Sequence, residues 1–269
     1  MQMGITQKNV NFSLLFAVSL IIFAPFITKA ADTEKESRIS AESVQTLFIG
    51  DPIWLKHNDV DEASRFLGLL TTSSVAQVSI IMVHGTGQGP DTPYLIGPLR
   101  EIFSDKDCNT LSIQMPVLSG EAAYKDYLGE FLEAGDRIQA AITYLLVAHP
   151  STPIVILAHS MGSSMMMNWA TKAGVANVHA LVALGLGAIN EEHSRSMLFS
   201  PYSINVPILD LFGEEDYEAV LWSAPLRKTA IASTNKASRQ IKVESADHFF
   251  SGKEEATATI IWNWLGTLN

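Results

Sequence analysis

The stretch VILAHSMGSS, residues 155–164, places a serine where an apolar run gives way to a helix-like segment. Ser160 follows His159, and the residues two positions away on either side are Ala158 and Gly162. A serine on a sharp strand-to-helix turn has its hydroxyl raised above the sheet edge, and small flanking residues let the turn close. The usual pattern has glycine at both flanking positions, so Ala158 departs from it by one methyl group. The pattern alone also fits an ordinary strand–helix junction, so a nucleophile needs further residues to support it. The turn is expected to direct His159 away from the site.

A serine nucleophile needs a base, and a histidine base needs an acid that orients its ring. VESADHFFSG places His248 directly after the last apolar run, followed by two phenylalanines that can fix its ring. PILDLFGEEDYEAV contains four acidic residues, of which Asp216 lies three residues after Gly213. That position leans over the sheet edge, so we predict that Asp216 is the acid, with Glu215 in reserve. The alternative is that Asp216 is a solvated loop carboxylate.

The loop HGTGQGP, residues 84–90, follows the first long apolar run. Its glycines let the backbone turn back and present an N–H group to a substrate oxygen. We assign the oxyanion donors to the backbone amides of Thr86 and of Met161, the latter at a helix start. A phosphate site is the alternative, but the lysine and spacing of a P-loop are missing. His84 is expected to hydrogen-bond within the loop.

Apolar runs and helix-like segments alternate after residue 76, which implies a mostly parallel sheet with helices on both faces. The expected strands cover 76–85, 109–115, 153–158, 178–187, 206–213 and 239–245. One helix is expected to start with Thr92 as its cap and Pro93 at its first position, and a long amphipathic helix is expected over 121–149. The early segments VQTLFIG, PIWLKH and RFLGLL predict short strands that add an antiparallel edge.

Composition predicts one globular domain with a large core, since 47% of the 269 residues are hydrophobic and 17% are charged. The formal net charge is −10 and no cluster of Lys or Arg is present, which argues against a nucleic-acid partner. Cys108 is the single cysteine, so no internal disulfide can form, and we interpret it as a core residue.

The first thirty residues have the pattern of a secretory signal peptide. Lys8 precedes a nearly continuous apolar run over 12–27, and Ala30 is the expected last residue removed. A retained membrane anchor is the alternative, but the run is shorter than the roughly 20 residues of a spanning helix and Pro25 interrupts it. We expect a periplasmic or secreted protein with a signal peptide at 1–30, a mobile polar leader at 31–43, a single domain at 44–269 and no membrane span after cleavage.

From residue 76 onwards the chain resembles the α/β-hydrolase superfamily, in which nucleophile, acid and base occur in the order Ser160, Asp216, His248. IIMVHGTGQGPDTPYLIGPLREIF, LSIQMP and ADHFF more narrowly resemble a bacterial family of unknown function, whose members are predicted exported α/β-hydrolases. The early PIWLKH…RFLGLL segment fits the same resemblance. The resemblance implies an α/β-hydrolase fold and acyl transfer to water through a serine ester, without metal or organic cofactor. It implies no defined substrate.

These patterns together predict a carboxylic-ester hydrolase with a Ser-His-Asp triad, acting on a small-molecule ester, thioester or amide. A peptidase or an acyltransferase with the same site, and a binding module without catalysis, remain alternatives. The oligomeric state stays open. The connection AINEEHSRSMLFSPYSIN is too short for a lid domain, so the lid is minimal. Within it, Met197, Leu198 and Phe199 form either an apolar wall of the site or ordinary packing.

Overall fold

The structure is a computed structural model that describes residue 1 and residues 31–57, 64–187, 204–233 and 235–268. The predicted signal peptide, apart from Met1, and the segment with Met197, Leu198 and Phe199 lie outside the described residues. Within the described ranges, no helix is both long enough and apolar enough to cross a membrane.

Eight strands form one sheet. Their bounds are β1 (Asp51–Lys56), β2 (Arg65–Thr71), β3 (Ser79–Val83), β4 (Asn109–Ile113), β5 (Ile154–His159), β6 (Ala180–Leu184), β7 (Ile208–Glu215) and β8 (Arg239–Asp247). Their order across the sheet is β1-β2-β4-β3-β5-β6-β7-β8. The pairs β1–β2 and β2–β4 are antiparallel, and all other neighbours are parallel. The predicted mostly parallel sheet with an antiparallel N-terminal edge is confirmed.

Helices cover both faces of this sheet. Their bounds are α1 (Thr33–Thr46), α2 (Ile96–Asp105), α3 (Phe131–Ala148), α4 (Met161–Ala173), α5 (Glu218–Ala232) and α6 (Glu254–Leu265), with a 3-10 helix at Tyr124–Glu130. Apolar side chains of α3 and α4 pack on one face and those of α2 and α6 on the other. The central strands supply both layers, because successive strand residues point to opposite faces. In β3, for example, Ile81 and Val83 join the first layer, while Ile80 and Met82 join the second.

The prediction of a mobile polar leader over 31–43 is wrong, because these residues enter helix α1. Asp32 caps the helix by accepting a hydrogen bond from the Lys35 amide at 2.9 Å. Glu36 is buried and its carboxylate accepts two hydrogen bonds from Arg137 of α3, at 2.8 and 3.2 Å. The Lys35 ammonium donates to the Leu118 carbonyl at 3.0 Å. A polar segment is therefore ordered by partners that lie far away in the chain, and its C-terminal end occupies the start of the expected strand VQTLFIG.

Two other helix starts differ from the expectation. Helix α2 begins at Ile96, and the Thr92 carbonyl accepts the amide of Gly97 at 2.9 Å, so Thr92 does not cap the helix with its side chain. The expected long helix over 121–149 is divided into the 3-10 helix and α3. The 3-10 segment turns Tyr127 inward, where its hydroxyl accepts a hydrogen bond from the Leu118 amide at 3.1 Å.

The buried pair between Glu36 and Arg137 gives a test of the docking of α1. Glu36→Ala leaves Arg137 with Glu133 as its remaining carboxylate partner, so we expect a loss of about 3 kcal/mol in the free energy of unfolding. Urea unfolding at pH 8 measures this loss; the pH is set well above the ordinary range of a carboxyl because burial raises the pKa of Glu36. Glu34→Ala is the control, because the Glu34 side chain is 91% exposed and should contribute less than about 1 kcal/mol. Equal losses in the two variants would contradict the docking.

Candidate active site

Ser160 lies at the junction of β5 and α4, with a backbone φ of 55° and ψ of −121°. Few residues other than glycine adopt a positive φ, so the surrounding structure must hold this turn. Gly162 explains part of the constraint, because a Cβ added there would lie 2.4 Å from the His84 carbonyl oxygen. The Ser160 amide donates to the Leu184 carbonyl at 2.8 Å, which fixes the turn to β6. A residue without a side chain is thus required at position 162, because the backbone there lies close to the end of β3.

The structure brings Ser160, His248 and Asp216 into one hydrogen-bonded chain. The Nδ1–H of His248 donates to Oδ1 of Asp216 at 2.6 Å, because a carboxylate can only accept. That tautomer leaves Nε2 of His248 free to accept the hydroxyl hydrogen of Ser160, with 2.8 Å between the two heavy atoms. Both Asp216 and His248 are buried. The three residues come from the ends of β5, β7 and β8, at the carboxyl edge of the parallel sheet.

Asp216 is held by backbone donors from its own loop. Its Oδ2 accepts the Gly213 amide at 3.2 Å, and its Oδ1 also accepts the Tyr217 amide at 2.7 Å. Glu215, the reserve candidate, is exposed, and the carboxylate that pairs with His248 is that of Asp216. Glu214, which precedes Glu215, pairs with Lys242 at the surface, at a distance of 2.6 Å.

The His248 ring is enclosed by neighbours that restrict its position. The Tyr217 ring stacks on it with 4.1 Å between centroids and 23° between planes, and Phe249 lies edge-on at 5.4 Å. On another side, Gly185 adopts a φ of 57°, and a Cβ added there would lie 3.0 Å from Nδ1 of His248. A side chain at residue 185 would therefore crowd the imidazole.

His159 does not point away from the site, so that expectation is wrong. His159 is one of the residues that line the cavity with Ser160, its ring centroid lies 5.0 Å from that of His248, and its Nε2–H donates to the His248 carbonyl at 2.9 Å. Burial, followed by the charge of His248, lowers the pKa of His159 to about 4. A neutral His159 thus supports the backbone of the residue that contacts Ser160.

The two residues expected to donate to an oxyanion flank Ser160. Thr86 lines the same cavity as the serine, and Met161 is the first residue of α4, where the backbone amide has no partner within the helix. The side chain of Gln88 accepts the Gly85 amide at 3.1 Å. The Gly85 amide is thus occupied, whereas the Thr86 amide has no hydrogen-bond acceptor among the described residues.

His84 holds the loop to the sheet, as expected for a structural residue. Its Nδ1–H donates to the Gly85 carbonyl at 2.9 Å, and its Nε2 accepts the Met115 amide at 2.9 Å. Burial lowers the pKa of His84 to about 4, so the ring stays neutral. The side chain bridges the ends of β3 and β4 and takes no part in the hydrogen-bonded chain at Ser160.

A cavity of about 560 Å³ opens above Ser160. One wall comes from residues 123–125, which follow β4, and another from Gly185, Gly187, Ala219 and Val220. Sequence analysis did not single out Tyr124 or Lys125 of the first wall, because they carry no motif and lie inside what was expected to be a long helix. Among the described residues, no group of three or more His, Cys, Asp or Glu is placed to hold a metal ion.

Comparison with known proteins places this geometry in context. Residues 59–127 match the model of a family described as a protein of unknown function, DUF3530. None of the curated proteins matches the sequence. Solved structures match along most of the chain.

An esterase from Pyrococcus furiosus, Pf2001, has a TM-score of 0.65 at 14% identity, with 82% of this chain and 94% of that chain covered. A dienelactone hydrolase from Anabaena variabilis has a TM-score of 0.63 at 17% identity, with 81% and 97% covered. XC6422 from Xanthomonas campestris, an α/β serine hydrolase without a lid, has a TM-score of 0.61 at 12% identity, with 82% and 96% covered. The chain has the α/β-hydrolase fold. At these identities the likeness concerns the fold, and the chemistry of the α/β-hydrolase site has to be argued from its own residues.

The two buried neutral histidines predict a loss of stability in acid. His84 and His159 have folded-state pKa values of about 4, below the ordinary 6.5. The unfolded chain therefore takes up protons first, and the free energy of unfolding should fall between pH 6.5 and 4, by up to about 3 kcal/mol per histidine. These two groups should add no further loss below pH 4.

Urea unfolding at several pH values between 7.5 and 4 measures this dependence. His84→Gln retains an acceptor near the position of Nε2 and removes one titrating ring. The part of the pH dependence of the free energy of unfolding that comes from the two rings should therefore be about halved in this variant. An unchanged slope in this variant would contradict the assignment of a neutral buried His84.

Proposed function

We propose that this protein is a serine hydrolase that cleaves carboxylic esters through an acyl-enzyme. The observation that carries the proposal is the continuous hydrogen-bonded chain from Ser160 through His248 to Asp216, at 2.8 and 2.6 Å. It lies at the floor of a cavity whose 560 Å³ falls in the range of small-ligand sites, about 300–1,000 Å³. A nucleophile, a base and an orienting acid within hydrogen-bond reach are what acyl transfer requires.

In the first half of the proposed reaction, Nε2 of His248 takes the hydroxyl proton of Ser160 as the oxygen attacks the ester carbonyl. The carbonyl oxygen becomes negative and accepts hydrogen bonds from the amides of Thr86 and Met161. When the tetrahedral intermediate collapses, His248 gives its proton to the departing alkoxide. Asp216 keeps the tautomer correct and stabilises the imidazolium in between.

In the second half, a water molecule gives a proton to His248 and attacks the acyl-serine carbonyl. The same amides bind the second oxyanion. Collapse returns the proton to Ser160 and releases the carboxylic acid. The stacked ring of Tyr217 covers one face of His248 throughout, so the imidazolium forms in a site partly closed to water.

Ser160→Ala tests the nucleophile. We expect kcat/KM on simple alkyl and aryl esters to fall on the order of 10³-fold or more, because the acyl-enzyme can no longer form. Labelling by a fluorophosphonate should be lost in parallel. Ser151→Ala, in the exposed turn before β5, is the matched control and should retain both activities. Ester turnover that survives in Ser160→Ala would overturn the proposal.

Gly185→Ala tests whether the space beside His248 is required. The added methyl group would crowd the imidazole at 3.0 Å, and a displacement of this kind is expected to lower kcat/KM by about 10²-fold. Gly174→Ala is the control, because Gly174 also has a positive φ, of 79°, but has nothing within 4 Å of the added carbon. Both variants should lose some thermal stability. If the two lose the same activity, backbone strain and not the imidazole is responsible.

A further inference from the structure

The cavity above Ser160 has two chemically different walls, and this difference bears on the substrate of the proposed hydrolase. One wall, formed by Gly185, Gly187, Ala219 and Val220, offers only apolar side chains or none. Another part of the lining contains Tyr124 and Lys125, which we call the donor wall. Both of its side chains donate hydrogen bonds.

Tyr124 has a hydroxyl hydrogen available for a ligand. Its oxygen lies 2.6 Å from Oγ of Ser164, so one of the two hydroxyl hydrogens lies between them. Ser164 is fully buried, and no other acceptor for its hydrogen is found among the described residues. The arrangement that leaves no buried hydrogen without an acceptor has Ser164 donating to Tyr124. The Tyr124 hydrogen then has no acceptor among the described residues and is available to a ligand in the cavity that Tyr124 lines.

The Tyr124 hydroxyl remains protonated over the working pH range, because burial raises the pKa of its phenol. It therefore acts as a donor and not as an anion. A substrate group placed against it must accept a hydrogen bond.

Lys125 adds a positive charge to the donor wall. It is exposed, and its ammonium forms no ion pair with a carboxylate of the described residues. None of the described residues that line the cavity is an Asp or a Glu, although the whole chain has a net charge of −10. The charged group at the cavity is thus opposite in sign to the protein as a whole, which favours an anionic ligand there.

The donor wall lies close to the start of the helix that follows the reacting serine. Ser164, which holds the Tyr124 hydroxyl, lies in the first turn of α4, and its amide donates to the Ser160 carbonyl at 3.3 Å. Ser160 and Ser164 therefore lie about one helical turn apart, which is on the order of 5 Å along the helix axis. A group bound by Tyr124 is therefore a few bonds away from a carbonyl at Ser160. A chain of the length of glutarate spans that distance.

We propose that the cavity selects esters that carry a carboxylate, which Tyr124 and Lys125 bind while Ser160 attacks the ester carbonyl a few bonds away. The carboxylate accepts one hydrogen bond from the phenol and is paired with the ammonium. The apolar wall receives the uncharged part of the substrate. The inference rests on the proposed function and names its substrate class.

Two pairs of esters matched in shape test this preference in the intact protein, with acid release followed by titration at constant pH. Monoethyl glutarate against ethyl pentanoate places the carboxylate on the acyl side. 3-Butanoyloxypropanoate against propyl butanoate places it on the alcohol side. We expect a kcat/KM ratio of about 10-fold or more in favour of the charged ester in one pair, as for a hydrogen bond to a charged group. The pair that has the ratio identifies which side of the ester meets the donor wall.

Substitutions then assign the ratio to its residues. Tyr124→Phe and Lys125→Met should each lower it several-fold, and the part due to Lys125 should shrink as salt is added, because the ammonium is exposed. Lys172→Met, at the far end of α4, removes a positive charge away from the cavity and should leave the ratio unchanged. Labelling of Ser160 by a fluorophosphonate in each variant shows that the site is still folded.

The possible results separate the two proposals. If neutral esters are cleaved with a ratio near one in both pairs, or if the ratio survives in Tyr124→Phe and Lys125→Met, the carboxylate inference is overturned and the hydrolase stands. If no ester of either kind is cleaved and the fluorophosphonate does not label Ser160 in the folded protein, both proposals fall.

Discussion

The site depends on one close approach, between the turn at Ser160 and the end of β3. The serine can keep a positive φ only because Gly162 lets α4 start against the His84 carbonyl, where a methyl group would be at 2.4 Å. That contact sets the height of the serine hydroxyl and the direction of the first amide of α4. It also sets how close the loop with Thr86 comes to both. A larger residue at 162 would separate the nucleophile from the amides that must act with it.

Burial of neutral imidazoles is the second constraint. His84 and His159 are both fully enclosed, and each uses a ring N–H to support a backbone carbonyl, one in the loop after β3 and one at His248. Their rings are polar without being charged, so they can orient the backbone near a site where positive charge develops on His248. The third ring, that of His248, is the one whose partners are a hydroxyl and a carboxylate.

The parts of the fold and the site that sequence analysis anticipated are those with local signals. Buried parallel strands appear as apolar runs, and Ser160, Asp216 and His248 lie directly after three of them, so their meeting followed from the parallel sheet. Helix α1 was not predicted, because the Glu36 carboxylate that docks it pairs with Arg137, which lies 101 residues later in the chain. The start of α2 shifted because a backbone turn replaced the side-chain cap expected of Thr92. Tyr124 and Lys125 form no motif, and only the packing of the 3-10 segment brings them to the cavity.

Helix α1 also affects how the molecule reaches its final state. It lies against the loop after β3, with Cγ2 of Ile39 at 2.4 Å from the position that a Cβ on Gly89 would occupy, yet its ion-pair partner belongs to α3. Contacts between residues so distant in the chain form slowly, because a long loop has to close first. During synthesis, the Glu36–Arg137 pair that docks α1 cannot form until residue 137 has been made.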